Sequence, residues 1–405
     1  MARAPDERRN YQVTVRKLAL IAFTGLLFTA LGFGSAALAE TPTLRGTGDL
    51  GIIIERATGQ VIIFDSTTKK ALFTVSELGD LSHASAVFSR DGRYAFVFGR
   101  DGGLSKVDLL TGRLVKRIVQ AGNSIGGAIS QDGTLVAVSN YEPGGIRVFD
   151  STTLAPVSDI PTDSKVVGLV DAPGNKFVFT LYDSGEIWIA DMTLPHSPKI
   201  SRFHDIGELP YDGLITPDGH YYLAGLFGED GIALLDLWKP EDGVRRVLHQ
   251  YGRGEDKLPV YKMPHLEGWA EAGEFLFLPA VGSPEVLIVS RIDWHEVGRI
   301  RVHGQPVFVV ARPDGRQVWV NFAHPFNNTV QVIDVPAKKI VYTFEPGPAV
   351  LHMEFTPRGE QVWVSVRDKD QVNVYDTQTF NLLATIPAES PSGIFLSSRA
   401  HKIGL

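Results

Sequence analysis

The 405-residue sequence predicts an all-β fold: an eight-bladed β-propeller whose ring closes by pairing the N-terminal and C-terminal strands. Three observations carry this reading. A turn signature recurs about every 42 residues, the interval of one four-stranded blade. Each copy is followed by a short alternating strand. The two ends hold complementary parts of one repeat.

The signature is clearest in Ser89-Arg90-Asp91-Gly92, Ser130-Gln131-Asp132-Gly133, Thr216-Pro217-Asp218-Gly219 and Arg312-Pro313-Asp314-Gly315. Looser copies are Asp171-Ala172-Pro173-Gly174, Glu271-Ala272-Gly273, Thr356-Pro357-Arg358-Gly359 and Ser397-Ser398-Arg399-Ala400. Asp and Gly suit a tight turn because the carboxylate bonds nearby backbone and glycine tolerates positive φ. The strands that follow, such as YAFVF, LVAVS and VWVNF, alternate as half-buried strands do. Each leads to a further strand ending in or near Asp, as in VFDSTT and VYDTQT, a turn opening. Gly51 to Val75 has strands but no copy of the first one, which SGIFL near the C-terminus supplies. Sharing one blade between the ends leaves no open sheet edge. The longest interval contains about 238–264, rich in charge, Gly and Pro, which reads as an inserted surface loop capping one face.

The first forty residues differ from the rest. Arg3, Arg8, Arg9, Arg16 and Lys17 precede an apolar run ending in Ala37-Leu38-Ala39. This pattern predicts a signal peptide over 1–39, cut before Glu40, with the propeller in 40–405. An uncleaved membrane anchor is the alternative. The expected destination is a bacterial periplasm. The absence of Cys excludes a lipoprotein anchor, a disulfide framework and covalent C-x-x-C-H haem attachment. A net charge of −7 gives no reason to expect nucleic acid. Gly46 to Gly51 matches G-x-G-x-x-G, but a strand-like run follows where dinucleotide binding needs a helix, so NAD is not expected.

The innermost strand of each blade lines a propeller's axis, and its first residues ring one mouth of the channel. Counting back from the turns places His83, Ser124, Lys165, Pro210, Pro264 and Val350 there, with His265 and His352 at nearly the same phase. His83 and His265 fall four repeats apart, on opposite sides of an eightfold ring. Two facing imidazoles suit a planar metallocofactor; ordinary structural histidines are the other reading. Arg100, Lys165 and Arg117 are candidates to pair with cofactor carboxylates, or are plain solvated charges. Asp171 is a candidate general acid or base, as is His265; a turn-capping role is the alternative for Asp171.

HASAVFSRDGRYAFVFGRDGGLSKVDLLTG resembles the opening blade of the cytochrome d1 domain, the propeller of cytochrome cd1 nitrite reductase. VSNYEPGGIRVFD, VVGLVDAPGNKFVF and PDGHYYLAGLFGEDGIALLDLW are similar to the NirF family of haem d1 biosynthesis. The resemblance covers nearly all of 44–405 and implies a pocket for haem d1 or its dihydro precursor. It implies His83 as the iron ligand, His265 as a distal histidine, and Arg100 near the macrocycle carboxylates. Tyr141, within the first of those stretches, joins the candidate cofactor contacts. Asp171 is similar to an acidic residue that matters in the family. FLPAVGSPE stands where a second distal histidine is expected, which argues against nitrite reduction. The implied partners are a tetrapyrrole intermediate, nitrite reductase and other haem d1 maturation proteins, with a homodimer left open. A carrier or modifier of the precursor, a tetrapyrrole dehydrogenase and a non-enzymatic interaction propeller all remain open.

Overall fold

The computed structural model describes residues 45–250, 269–280 and 282–404. The expected signal peptide, His265 and the middle of the insertion lie outside the described residues. Alternation of β-branched and aromatic residues builds eight antiparallel four-stranded sheets, as the repeats predict. Blade I is formed by Ser85–Phe88, Tyr94–Phe98, Gly103–Asp108 and Arg113–Val119. The innermost strands of blades II to VII are Asn123–Ile129, Val166–Ala172, Pro210–Ile215, Ala270–Ala272, Pro306–Ala311 and Val350–Phe355. The innermost strands of blades I to IV contact in succession, as do those of blades V to VIII.

Blade VIII closes the ring as the sequence ends predict. Its innermost strand, Pro391–Leu396, pairs with Leu50–Glu55, setting Ile53 opposite Ile394. Gln60–Asp65 and Lys70–Val75 complete it. Sharing this blade ties the two ends of the chain together and closes the ring, leaving only the short edges of the individual blades.

The two middle strands of each blade are the most buried; the outermost alternates or is exposed, as in Arg113–Val119. The faces of adjacent blades pack aromatic on aliphatic. Phe64 of blade VIII stacks on Trp363 of blade VII with ring centroids 4.1 Å apart, and both rings are fully buried. The aspartates ending the third strands cap the next turn: Asp150 accepts from Thr153 N at 2.7 Å, and Asp376 from Thr379 N at 2.7 Å.

The insertion differs from expectation at its start. Val244–Val247 is the outermost strand of blade IV: Val244 and Val247 pair in register with Leu235 and Ile232, and their side chains pack on opposite faces of the blade. The loop therefore begins after the strand rather than at residue 238. No helix among the described residues is long and apolar enough to cross a membrane.

The last residues are not a worn turn. After Leu396 the chain forms a short 3-10 helix, Ser397–His401, and runs on to Gly404. Ile403 packs with Val170, Ala172 and Ile215. This segment leaves blade VIII and ends against the innermost strands of blades III and IV, across the ring.

Candidate functional site

A cavity of about 600 Å3 occupies the propeller axis. Its walls come from the innermost strands. Val167, Val307, Phe308 and Phe395 make them apolar, and Gly126 and Gly127 make them recessed. A Cβ on Gly127 would collide with the ring of Phe98 and the carbonyl of Ala137, so glycine is required at that point of the wall.

His83 stands two residues before the innermost strand of blade I, half-buried, on the wall of this cavity. Burial pushes its pKa below the usual histidine value, and the charges of Arg100 and Arg56 add to the effect. At neutral pH the imidazole is uncharged and carries a lone pair. The residue that the repeat phase singled out is thus at the cavity.

A second ring of side chains surrounds the same mouth. It comes from the turns that follow each blade's second strand, where the chain emerges beside the neighbouring entrance. Arg56, Arg100 and Arg367 occupy these turns in blades VIII, I and VII, three consecutive blades. Tyr141, near the end of its strand Leu135–Glu142, and Tyr182, just after Lys176–Leu181, hold similar places in blades II and III, and His324 stands two residues past Gln317–Phe322 in blade VI. Arg56, Arg367 and His324 line the cavity. Arg56 is half-buried, and its pKa is lowered by burial and then by the charge of Arg367, against a smaller pull from Asp80. The Arg367 guanidinium forms an ion pair with its exposed neighbour Asp368 at 2.7 Å. The two guanidinium charges therefore oppose each other at the mouth, with Asp368 paired to Arg367 and the more distant pull of Asp80 acting on Arg56. Counting to first-strand entrances alone missed Arg56 and Arg367. The signal that finds them is the residue after each second strand, as in GIIIE-Arg56 and VWVSV-Arg367.

The remaining expected residues divide. Arg100 is exposed on its turn, close enough for its charge to act on both His83 and Tyr141. The Tyr141 hydroxyl lies 3.4 Å from that of Tyr211, a cavity residue, and burial raises the pKa of both phenols, which stay protonated. Lys165 is near the mouth but does not line the cavity. Its ammonium pairs with Asp183 at 2.8 Å. Arg117 lies in the outermost strand of blade I, where it donates to Leu78 O at 3.0 Å and pairs with Asp101. It braces the turn bearing Arg100 and is away from the cavity. His352, noted for its phase, is buried in the cavity wall. Its Nδ1 accepts the Ile394 N–H at 3.2 Å, which puts the proton of the neutral ring on Nε2.

Asp171 is the main departure from the expected grouping. It sits at the end of its strand, at the opposite end of the axis from His83, and is 1% exposed. It pairs with Arg90 at 2.9 Å, accepts the Gly404 N–H at 2.9 Å, and bonds Gln131. Burial raises its pKa, with Arg90 the chief opposing influence. The sequence placed it near a turn correctly, but strand direction sends that turn to the far face.

Residues 45–400 match the family model of the cytochrome D1 heme domain. The chain is 61% identical over 388 residues to Protein NirF of Pseudomonas aeruginosa, covering 94% of this chain and 98% of that protein. It is 57% identical over 399 residues to Protein NirF of Stutzerimonas stutzeri, covering 96% of this chain and the whole of that one. Among solved structures, the dihydro-heme d1 dehydrogenase NirN in complex with DHE superposes with a TM-score of 0.76 at 24% identity, covering 90% of this chain and 79% of that one, which is a likeness of fold. With its repeats, closure and axial cavity in agreement, the chain belongs to the cytochrome d1 heme-domain family and, within it, to the NirF proteins.

Proposed function

We propose that this protein serves haem d1 biosynthesis in the periplasm, binding a late haem d1 precursor in the axial cavity with His83 as the iron's axial ligand. The observation that supports this best is the grouping, at one mouth, of an uncharged imidazole with the guanidinium groups of Arg56 and Arg367 over a largely apolar pocket. A flat macrocycle needs apolar walls for its faces and cations for its carboxylates. Iron held in such a ring needs only axial ligands from the protein, so a single imidazole suffices. A volume of about 600 Å3 lies within the range of about 300–1,000 Å3 usual for small-molecule sites. Arg56 and Arg367, with Arg100 beside them, take the carboxylates; the protonated phenols of Tyr141 and Tyr211 act as hydrogen-bond donors on the adjoining arc. The heme-domain match and the NirF relatives support the same ligand class.

The test is titration of the full chain with dihydro-haem d1, followed by visible absorption and mass analysis of the bound pigment. Wild type is expected to give a spectrum of imidazole-ligated iron, which His83→Ala changes to that of a weakly ligated iron while the fold persists. An unchanged spectrum in His83→Ala removes the axial role. A changed pigment mass after incubation marks an enzyme rather than a carrier.

A further inference from the structure

An eight-bladed ring has an axial channel with two mouths, and in this chain its own C-terminal segment crosses the second. The segment is anchored from four blades. Arg399, 5% exposed, forms a two-pronged ion pair with Glu354 of blade VII, Nε to Oε1 at 2.8 Å and Nη2 to Oε2 at 2.6 Å. Arg90 of blade I donates to Ala400 O at 2.9 Å and reaches Lys402 O at 3.4 Å. Asp171 of blade III takes the Gly404 N–H at 2.9 Å while Arg90 holds its other oxygen at 2.9 Å. Gly404 has φ 77°, and a Cβ there would strike Ile215 of blade IV. Asp171 and Gly404 both face the axial cavity.

We propose that residues 397–404 are a strap that makes the channel a blind pocket, and that Asp171 serves the site as a positioning residue by latching this strap. Its carboxylate is engaged by three donors, on the far side of the axis from the imidazole, so it holds the floor of the pocket in place rather than exchanging protons with the occupant. A ligand then enters and leaves by the His83 mouth alone. The strap itself is a property of the empty protein; its effect on a tetrapyrrole rests on the function proposed above.

Hydrogen exchange of 397–404 in the empty full chain tests the latch, and dissociation of bound dihydro-haem d1 tests its consequence. Asp171→Ala is expected to speed exchange in the strap at least tenfold and pigment release by a similar factor. Gly404→Val is expected to do the same, although it removes no ionisable group. Asp171→Asn, which keeps an acceptor for the Gly404 N–H, is expected to stay within a few-fold of wild type in both. Circular dichroism identifies any variant that fails to fold, and then Gly404→Val carries the test alone. The proposal is overturned if Asp171→Ala leaves strap exchange unchanged. It is also overturned if Asp171→Asn keeps the strap closed yet abolishes conversion or retention of the pigment, since the carboxylate then acts chemically. A wild-type chain with a closed strap that binds no tetrapyrrole refutes the proposed function and leaves the strap standing.

Discussion

Arg56→Gln is expected to weaken tetrapyrrole binding and to stabilise the empty protein at the same time. A hydrogen bond between a charged group and a charged partner contributes about 1.5–3 kcal/mol. Arg56 is only half-buried, so the lower end applies, and about 1.4 kcal/mol is tenfold in affinity. The expected loss is about tenfold. Burial, and then the neighbouring charge of Arg367, depress the Arg56 pKa, and the pull of Asp80 is smaller. Removing one of two like charges at a partly exposed mouth relieves repulsion comparable in size to a surface ion pair, on the order of 0.2–1 kcal/mol. Loss of binding with gain of stability marks a group placed for a ligand rather than for the fold.

The assay needs no scarce ligand. Iron protoporphyrin and its dimethyl ester share one macrocycle, the ester losing both carboxylate charges and gaining two methyl groups, and both are titrated by absorbance into wild type, Arg56→Gln, Arg367→Gln and the double variant. Urea denaturation of the same four proteins gives the stability half of the cycle. Wild type is expected to prefer the free acid about tenfold, each single variant to lose most of that preference, and Arg56→Lys to fall between because it keeps charge without the planar fork. If wild type binds acid and ester equally, or if Arg56→Gln loses affinity and stability together, the guanidinium groups are structural and the argument fails.

Two further outcomes follow from buried charge. Glu354→Gln removes the carboxylate that pairs with the buried Arg399, and breaking a buried pair from one side costs about 3–5 kcal/mol; a fall in the urea midpoint measures it, and a change under about 1 kcal/mol contradicts it. Asp171 has a raised pKa, so between the ordinary aspartate value of 3.8 and that raised value the folded chain holds a proton that the unfolded chain has lost. Its contribution to stability therefore falls as pH rises through that window. Arg90, Gln131 and Gly404 face the carboxylate, and Asp171→Asn is expected to show a flatter profile there when wild type and variant are unfolded in urea across a pH series.

Much of the architecture was legible because a propeller writes its fold in period. Asp-Gly turns at one spacing and alternating strands after each gave eight blades, and the missing strand before Gly51 gave the closure with Ile394. His83 was legible for the same reason, since phase within the repeat fixes position along the axis. Phase was less informative where strand direction matters. Asp171 and His83 sit at opposite ends of equivalent strands, and a list of polar residues near turns does not separate them. Arg117 looked like a ligand to carboxylates because its partners, Asp101 and Leu78, lie in other parts of the chain. Val244–Val247 was hidden inside a polar insertion because only two of its four side chains need to be apolar on an outer strand. The strap had no signal, for its contacts join Gly404 to Asp171 and Arg399 to Glu354 without any repeat to announce them.

The scaffold is nearly eightfold, and what it carries at the open mouth is not. Similar places hold arginine in blades VII, VIII and I, tyrosine in blades II and III, and histidine in blade VI. One arc is cationic and the next is phenolic, while the wall below both is apolar. A disc bearing carboxylates on one edge has a single favourable rotation in such a ring: acidic edge against the arginines, uncharged edge toward Tyr141 and Tyr211. The strap adds a second asymmetry, along the axis, by closing the face opposite His83. Together these remove the rotational and end-to-end degeneracy that a symmetric barrel of blades would leave. The energetic cost of that specificity sits in the like-charged pair Arg56 and Arg367 and in the buried Asp171, two places where the folded chain is held away from its stability optimum.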